Sequence, residues 1–213
     1  MGSEMCIRDR YNAKHEIKCC RFAHNAYQKL FLKIYTELIS MIKVGILGAT
    51  GYAGIEVVRL LTAHPEAEIV RVVSQSFVGQ KISDVYQNLK GICDLCCTAL
   101  DVDDIAGSCD LVFTALPHGA SKTVIPSLYE KGLKIVDLSG DFRYNDPVVY
   151  EKWYGEPHSA PEVLKESVYG LCEIHRDEIK THRLIGNPGC YTTCSIMGLS
   201  LIHISEPTRR TPI

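Results

Sequence analysis

From residue 41 to residue 200, hydrophobic positions alternate between short solid runs and helically spaced ones. Ile42-Lys43-Val44-Gly45-Ile46-Leu47 is a β-branched run that reads as a buried strand. Gly48-Ala49-Thr50-Gly51-Tyr52-Ala53-Gly54 follows, and then Ile55, Val58, Leu60 and Leu61, with Glu56 and Arg59 between them, read as a helix ending near His64-Pro65. Ile69 to Val73 predicts a second strand, and Asp110 to Ala115 a third. A helix through Ser121 to Lys131 leads to a strand over Leu133 to Asp137. Strands alternating with helices predict an α/β fold with a doubly wound parallel sheet, and ligands in such sheets lie beyond the carboxyl ends of the strands. Near the end, Asn187-Pro188-Gly189-Cys190-Tyr191-Thr192-Thr193 sets a cysteine between a Pro-Gly turn and the first turn of another helix.

Both ends break this pattern. Residues 1–10 and 201–213 resemble translated adapter sequence, and the latter loses helical periodicity in a run of Ser, Glu, Pro, Thr and Arg. In residues 11–40, Leu30, Phe31, Ile34, Leu38 and Ile39 nearly share a helical face, but no long apolar core or cleavage site of a secretory signal is present. Residues 1–40 are therefore expected to be a non-native or disordered leader with the natural start at Met41, and residues 201–213 a non-native tail.

A formal net charge of −2 and the lack of a long Lys/Arg run give no support to nucleic-acid or anionic-membrane binding. No stretch approaches the length of a membrane span. The ten cysteines show no regular disulfide framework, and a reducing, cytoplasmic setting is the default expectation. Cys93-Asp94-Leu95-Cys96-Cys97 contains a C-x2-C pair, but a zinc site needs a matching second pair. These thiols are expected to be structural, and no metal is expected.

Two features carry candidate chemistry. The glycines are spaced G-x-x-G-x-x-G between a strand and a helix, the context in which backbone N–H groups and a helix dipole receive a pyrophosphate. At the end of the second strand, where an acidic residue would hold the ribose 2′-hydroxyl of NAD, stand Ser74-Gln75-Ser76. No carboxylate there opposes a 2′-phosphate, so NADP (as NADPH) is the expected cofactor. The second feature is Cys190, at a helix start that favours negative charge and so suits a nucleophilic thiolate. The alternative is a buried structural thiol, as expected of Cys194; Tyr150, Trp153 and Tyr154 are expected to pack. Pro117, His118, Gly119, Ser139, Asp141 and Arg143 all fall at strand carboxyl ends.

GATGYAG (48–54), ALPHG (115–119), LSGDFR (138–143), YGLCE (169–173) and NPGCYTT (187–193) occur in this order. Together they resemble the N-acetyl-gamma-glutamyl-phosphate reductases, the arginine-biosynthesis branch of the semialdehyde dehydrogenase family, over about residues 41 to 200. The resemblance implies a Rossmann-like domain over 41–184 and the truncated start of a second, substrate-holding and oligomerising α/β domain over 185–200. It implies Cys190 as the catalytic nucleophile, and the glycine turn (Gly48, Thr50, Gly51, Tyr52, Ala53, Gly54) at the cofactor phosphates. Ser74 would lie near the 2′-phosphate, and Pro117, His118 and Gly119 beside the nicotinamide half. Ser139, Arg143 and Asn187 would face an acyl-phosphate substrate. A homo-oligomer, dimer or tetramer, is implied for the full-length protein. The family usually has proline at the positions of Cys172 and Thr192, and its acid/base histidine lies downstream of this sequence; His175, His182 and His203 do not match it.

The implied reaction is attack of Cys190 on the acyl carbon, loss of phosphate, and hydride reduction of the resulting thioester. A related dehydrogenase for aspartyl phosphate or a carrier-linked aminoadipate, and a non-catalytic dinucleotide-binding module, remain the alternatives. As written, the chain is expected to be inactive alone and prone to aggregate.

Overall fold

The computed structural model describes residues 41–205, with side chains to residue 200; the expectations for residues 1–40 and 206–213 lie outside the described residues. One sheet contains β1 (Ile42–Leu47), β2 (Ala67–Val73), β3 (Leu111–Thr114), β4 (Lys134–Asp137), β5 (Ser167–Tyr169) and β6 (Leu184–Gly186). Its spatial order is β2-β1-β3-β4-β6-β5 and every pairing is parallel. The intervening helices are α1 (Tyr52–Leu61), α2 (Ile82–Val85), α3 (Val102–Ser108), α4 (Ser121–Glu130), α5 (Pro147–Tyr154), α6 (Pro161–Lys165) and α7 (Cys172–Thr181). After β6 comes α8 (Cys190–Ser205).

Hydrophobic residues cover the sheet on both faces. Val44, Ile46 and Val72 join Val58 of α1, Ile82 of α2 and Leu89 in one core. Leu47, Val73, Val112 and Ile135 join Ile105 of α3, Ile125 and Leu128 of α4 and Tyr150 of α5 in the other. Neighbouring strand residues point to opposite faces, so a run buried throughout, as Val44 to Leu47 is, belongs to a sheet covered on both sides. Each fully buried aliphatic side chain contributes about 1.5–3 kcal/mol of transfer free energy.

The expected doubly wound parallel α/β fold is the observed one. The chain runs from β1 outward to β2, and β3 returns on the other side of β1. A crevice therefore opens between the carboxyl ends of β1 and β3. Several details differ from the reading of the sequence. The expected domain boundary after residue 184 falls inside β6, and the sheet extends to Gly186. The helical backbone of α8 continues to Ser205, into the segment expected to lose periodicity. Trp153, expected to pack, is 68% exposed at the solvent side of α5. Cys93 and Cys97 are core thiols, as expected, and burial pushes both thiol pKa values up. Cys96 is exposed. Among the described residues no helix is long and apolar enough to cross a membrane.

Candidate functional site

The crevice is a cleft of about 590 Å³, walled by Leu47, Gly48, Thr50 and Gly51, by Val73 to Ser76 after β2, and by Ala115 to Pro117 after β3. Two glycines make it possible. Gly48 has φ +78, and a Cβ there would strike the Ala115 carbonyl. At Gly54 a Cβ would strike the Gly48 carbonyl, so α1 reaches the turn only because that position is bare. Thr50 shares a 2.7 Å hydroxyl contact with Ser74, and the Tyr86 hydroxyl donates to the Thr50 carbonyl at 2.8 Å.

Helix α1 begins at this turn with Gly51 as its N-cap, no side-chain cap and no acidic residue in the first turn. Its first N–H groups and positive dipole end are therefore left for an anion. The neighbouring α4 differs. Its start is occupied by Asp141, whose carboxylate accepts from Gly119 N–H at 2.9 Å and Lys122 N–H at 3.2 Å. Of these two helix starts at the same sheet edge, α1 is the one fitted to a pyrophosphate. Gly51, Tyr52 and Ala53 are exposed there, whereas Gly54 is buried against the turn. Ser74 is buried, Gln75 and Ser76 are exposed, and no carboxylate stands among the residues lining the cleft.

A hydrogen-bonded chain joins the ends of β3 and β4 to the loop after β3. Thr114 Oγ1 donates to Asp137 Oδ1 at 2.7 Å, and Ser139 Oγ donates to Asp137 Oδ2 at 2.6 Å. Asp141 N–H in turn donates to Ser139 Oγ at 3.1 Å. Ser139, expected at the substrate, thus turns its hydroxyl inward between the Asp137 carboxylate and the Asp141 backbone N–H. His118 Nδ1 lies 2.7 Å from Asp141 Oδ1, and its ring stacks on Tyr154 at 4.5 Å. Pro117 lines the cleft; His118 and Gly119 stand beyond it on the same loop. Tyr150 is fully buried as expected, and burial, followed by the nearby Asp141 charge, holds its phenol well above the usual range.

Strand β6, between β4 and β5, runs directly into the cysteine turn. Asn187 N–H donates to the Asp137 carbonyl at 2.7 Å, and Arg143 Nε donates to the Asn187 carbonyl at 2.9 Å. Arg143 Nη2 reaches the Leu138 carbonyl at 3.4 Å, and a Cβ on Gly189 would lie 3.1 Å from its Nη1. The Gly189 carbonyl accepts from Thr192 Oγ1, Thr193 Oγ1 and Thr193 N–H at 2.8, 2.9 and 2.9 Å. Threonine at 192 therefore closes the turn with its hydroxyl. Cys190 is the first residue of α8 and is exposed. Cys194, expected to be buried, is exposed as well.

A second hollow of about 560 Å³ adjoins this turn, lined in part by Arg143, Tyr154, Tyr169, His175 and Thr192. Tyr169, whose hydroxyl lies 3.4 Å from Thr192 Oγ1, carries no local sequence signal of this role, because only the pairing of β5 with β6 brings it there.

Fold and site together define a nucleotide-binding α/β domain with an exposed cysteine on its ligand edge. Residues 43–182 match the family model described as semialdehyde dehydrogenase, NAD binding domain. The chain belongs to the semialdehyde dehydrogenase family and carries its nicotinamide-dinucleotide-binding domain. It is 59% identical to an N-acetyl-gamma-glutamyl-phosphate reductase of Acetivibrio thermocellus over 160 residues, covering 75% of this chain and 46% of that one. A protein of the same name from Halothermothrix orenii is 52% identical over 159 residues, with 75% and 46% covered. The chain thus spans about half the length of the curated relatives it matches. Aspartate semialdehyde dehydrogenase from Candida albicans, solved with NADP, superposes with TM-score 0.53 at 21% identity over 78% of this chain and 48% of that one. Aspartate semialdehyde dehydrogenase II of Vibrio cholerae gives 0.56 at 16% identity, over 78% and 47%. These structures share the fold.

Proposed function

We propose that the chain supplies the cofactor site and the nucleophile of an NADPH-dependent reductase. It converts N-acetyl-gamma-glutamyl phosphate to N-acetylglutamate semialdehyde and phosphate, a step of arginine biosynthesis in the cytoplasm. The observation that carries this reading is the placement of exposed Cys190 and the uncapped start of α1 at the carboxyl edge of one sheet, with Arg143 tied to the cysteine turn. The names of relatives at 59% and 52% identity support the substrate.

The turn Gly48 to Gly51 and the first amides of α1 hold the pyrophosphate, Ser74 to Ser76 receive the 2′-phosphate, and Pro117 flanks the nicotinamide end. Bound there, the cofactor supplies hydride. The Cys190 thiolate attacks the acyl carbon, the carbon–oxygen bond to phosphate breaks, and a thioester on sulfur remains. After reduction the carbon–sulfur bond breaks, and aldehyde and thiolate are released. Amides in the first turn of α8 lack intrahelical partners and suit the oxyanion. Arg143 suits the negative charge of the substrate.

The test uses this chain directly. NADPH and NADH are titrated by nicotinamide fluorescence, and iodoacetamide labelling of Cys190 and Cys194 is followed by mass spectrometry. Tighter binding of NADPH, and Cys190 labelling that outpaces Cys194 and slows with N-acetyl-gamma-glutamyl phosphate, are expected. Equal labelling of the two exposed thiols would sink the nucleophile assignment.

A further inference from the structure

Two exposed thiols share one face of α8. Cys190 is the first residue of the helix, and Cys194 stands at the i+4 position one turn above it. Side chains on a helix lean toward its N-terminus, which carries Cys194 back toward Cys190. The other described cysteines lie elsewhere: Cys93, Cys97 and Cys109 are buried, Cys96 is exposed in the segment after α2, and Cys172 is exposed at the start of α7. Cβ atoms four residues apart on a helix are about 5–6 Å from one another, and a disulfide holds them at about 3.5–4.5 Å. The pair is therefore within about 1–2 Å of bridging distance, and closing the gap has to deform the first turn of α8. The Gly189 carbonyl, which accepts from Thr192 Oγ1, Thr193 Oγ1 and Thr193 N–H, resists that deformation. A bridge formed there is strained, and strained, exposed disulfides are the readily reduced ones.

We propose that Cys194 is a resolving thiol for Cys190, and that a hydroperoxide converts the pair into a reversible disulfide. The Cys190 thiolate attacks the terminal oxygen of the hydroperoxide and the O–O bond breaks. An alcohol leaves with the proton the thiol released, and Cys190 is oxidised to a sulfenic acid. Cys194 then attacks the Cys190 sulfur, the S–O bond breaks, and hydroxide leaves with the Cys194 proton as water. In sum two thiols lose two electrons and two protons, and the peroxide is reduced to alcohol and water. A small thiol reverses the step by exchange at the strained bridge. Without Cys194 the sulfenic acid stays open to a second peroxide and passes to sulfinic acid, which thiols do not reduce. The consequence for catalysis rests on the nucleophile reading above: the bridged form has no thiol to attack an acyl carbon, and reduction restores it. The bridge itself rests only on the placement of the two cysteines.

The experiment treats the 213-residue chain with hydrogen peroxide, blocks free thiols with iodoacetamide and digests with trypsin for mass spectrometry. Cys190 and Cys194 fall in one tryptic peptide, residues 184–209. The expected product is that peptide lighter by two hydrogens and without alkylation, restored to two alkylated cysteines when dithiothreitol precedes the block. In Cys194→Ser the bridge is absent, and the fraction of Cys190 recovered as sulfinic acid rises at least about fivefold. Cys190 left as sulfinic acid beside a free Cys194 in the wild type overturns the proposal. So does a bridge from Cys190 to Cys172, or peroxide that leaves both thiols unoxidised. Should Cys194→Ser fail to fold, the wild-type digest decides. A Cys190–Cys194 bridge together with labelling that N-acetyl-gamma-glutamyl phosphate does not slow keeps the bridge and removes the nucleophile reading.

Discussion

A single methyl group at Gly54 tests the architecture of the cleft. Glycine to alanine inside a helix ordinarily stabilises by about 0.5–1 kcal/mol. At Gly54 the new Cβ would overlap the Gly48 carbonyl oxygen and sit 2.8 Å from both Ala49 Cα and Gly48 C. All three are backbone atoms, so no side chain can swing aside. Either α1 lifts from β1 or the turn opens. Overpacking of this size costs about 1–3 kcal/mol, and a site without give belongs at the upper end. Against the helix gain, Gly54→Ala is expected to lose about 2 kcal/mol net. For a domain of this size about 2–4 °C accompanies each kcal/mol, so Tm falls by about 4–8 °C. Gly107 in α3 is the control, because a Cβ there meets nothing within 4 Å. Gly107→Ala should raise Tm slightly and leave NADPH affinity alone. Circular dichroism melts and a fluorescence titration read both variants. Opening the turn also misdirects the first amides of α1, so Gly54→Ala should bind NADPH at least about tenfold more weakly. A Gly54→Ala protein that melts at or above wild type with full affinity would refute the reasoning.

Other outcomes are equally concrete. Gln75→Glu adds a carboxylate at an exposed position of the cleft and should weaken NADPH about tenfold while sparing NADH, a ratio read from paired titrations. Cys190→Ser should abolish the fast labelling event with a stability change within about 0.5 kcal/mol, since the thiol is exposed; slow labelling already in the wild type would contradict the nucleophile. His158 is buried, desolvation lowers its pKa, and its Nδ1 accepts from Ala160 N–H at 3.1 Å. The unfolded chain therefore protonates first, so stability is whole above about pH 6.5 and declines as pH falls toward the lowered folded value. His158→Asn should shrink the Tm loss between pH 7 and pH 5; an unchanged loss would exclude this source.

The sequence showed the first strand and its turn better than their surroundings. Ile42 to Leu47 and the glycines after it announced β1 and its turn because burial on both faces leaves a solid apolar run. The helix expected over Ser121 to Lys131 is α4, one residue shorter. Strands β5 and β6 span three residues each, too few to show any period, and exist through their pairing with one another and with β4. Helix α5 carried readable signals, Asp146 capping Val148 N–H, Pro147 at its first position and Gly155 at its end, yet its apolar pattern alone did not reveal it. The partnership of Asp141 with His118 and Gly119 is a property of the fold, because 22 residues separate Asp141 from Gly119. Local rules likewise could not tell that the hydroxyl of Ser139 turns inward, or that Cys194 faces solvent.

The turn between β6 and α8 also has a mechanical meaning. Asn187 is fastened to β4, its carbonyl to Arg143, and the Gly189 carbonyl to two threonines. The sulfur of Cys190 is therefore borne at the fixed end of a lever, with α8 as the arm. Tilting the far end of that helix sweeps a wide arc at Ser205 and barely displaces the thiol. The thiol we propose as nucleophile keeps its register with the cleft after β1 through such motion, and the entropy of aligning the two is spent when the sheet folds, before any substrate arrives.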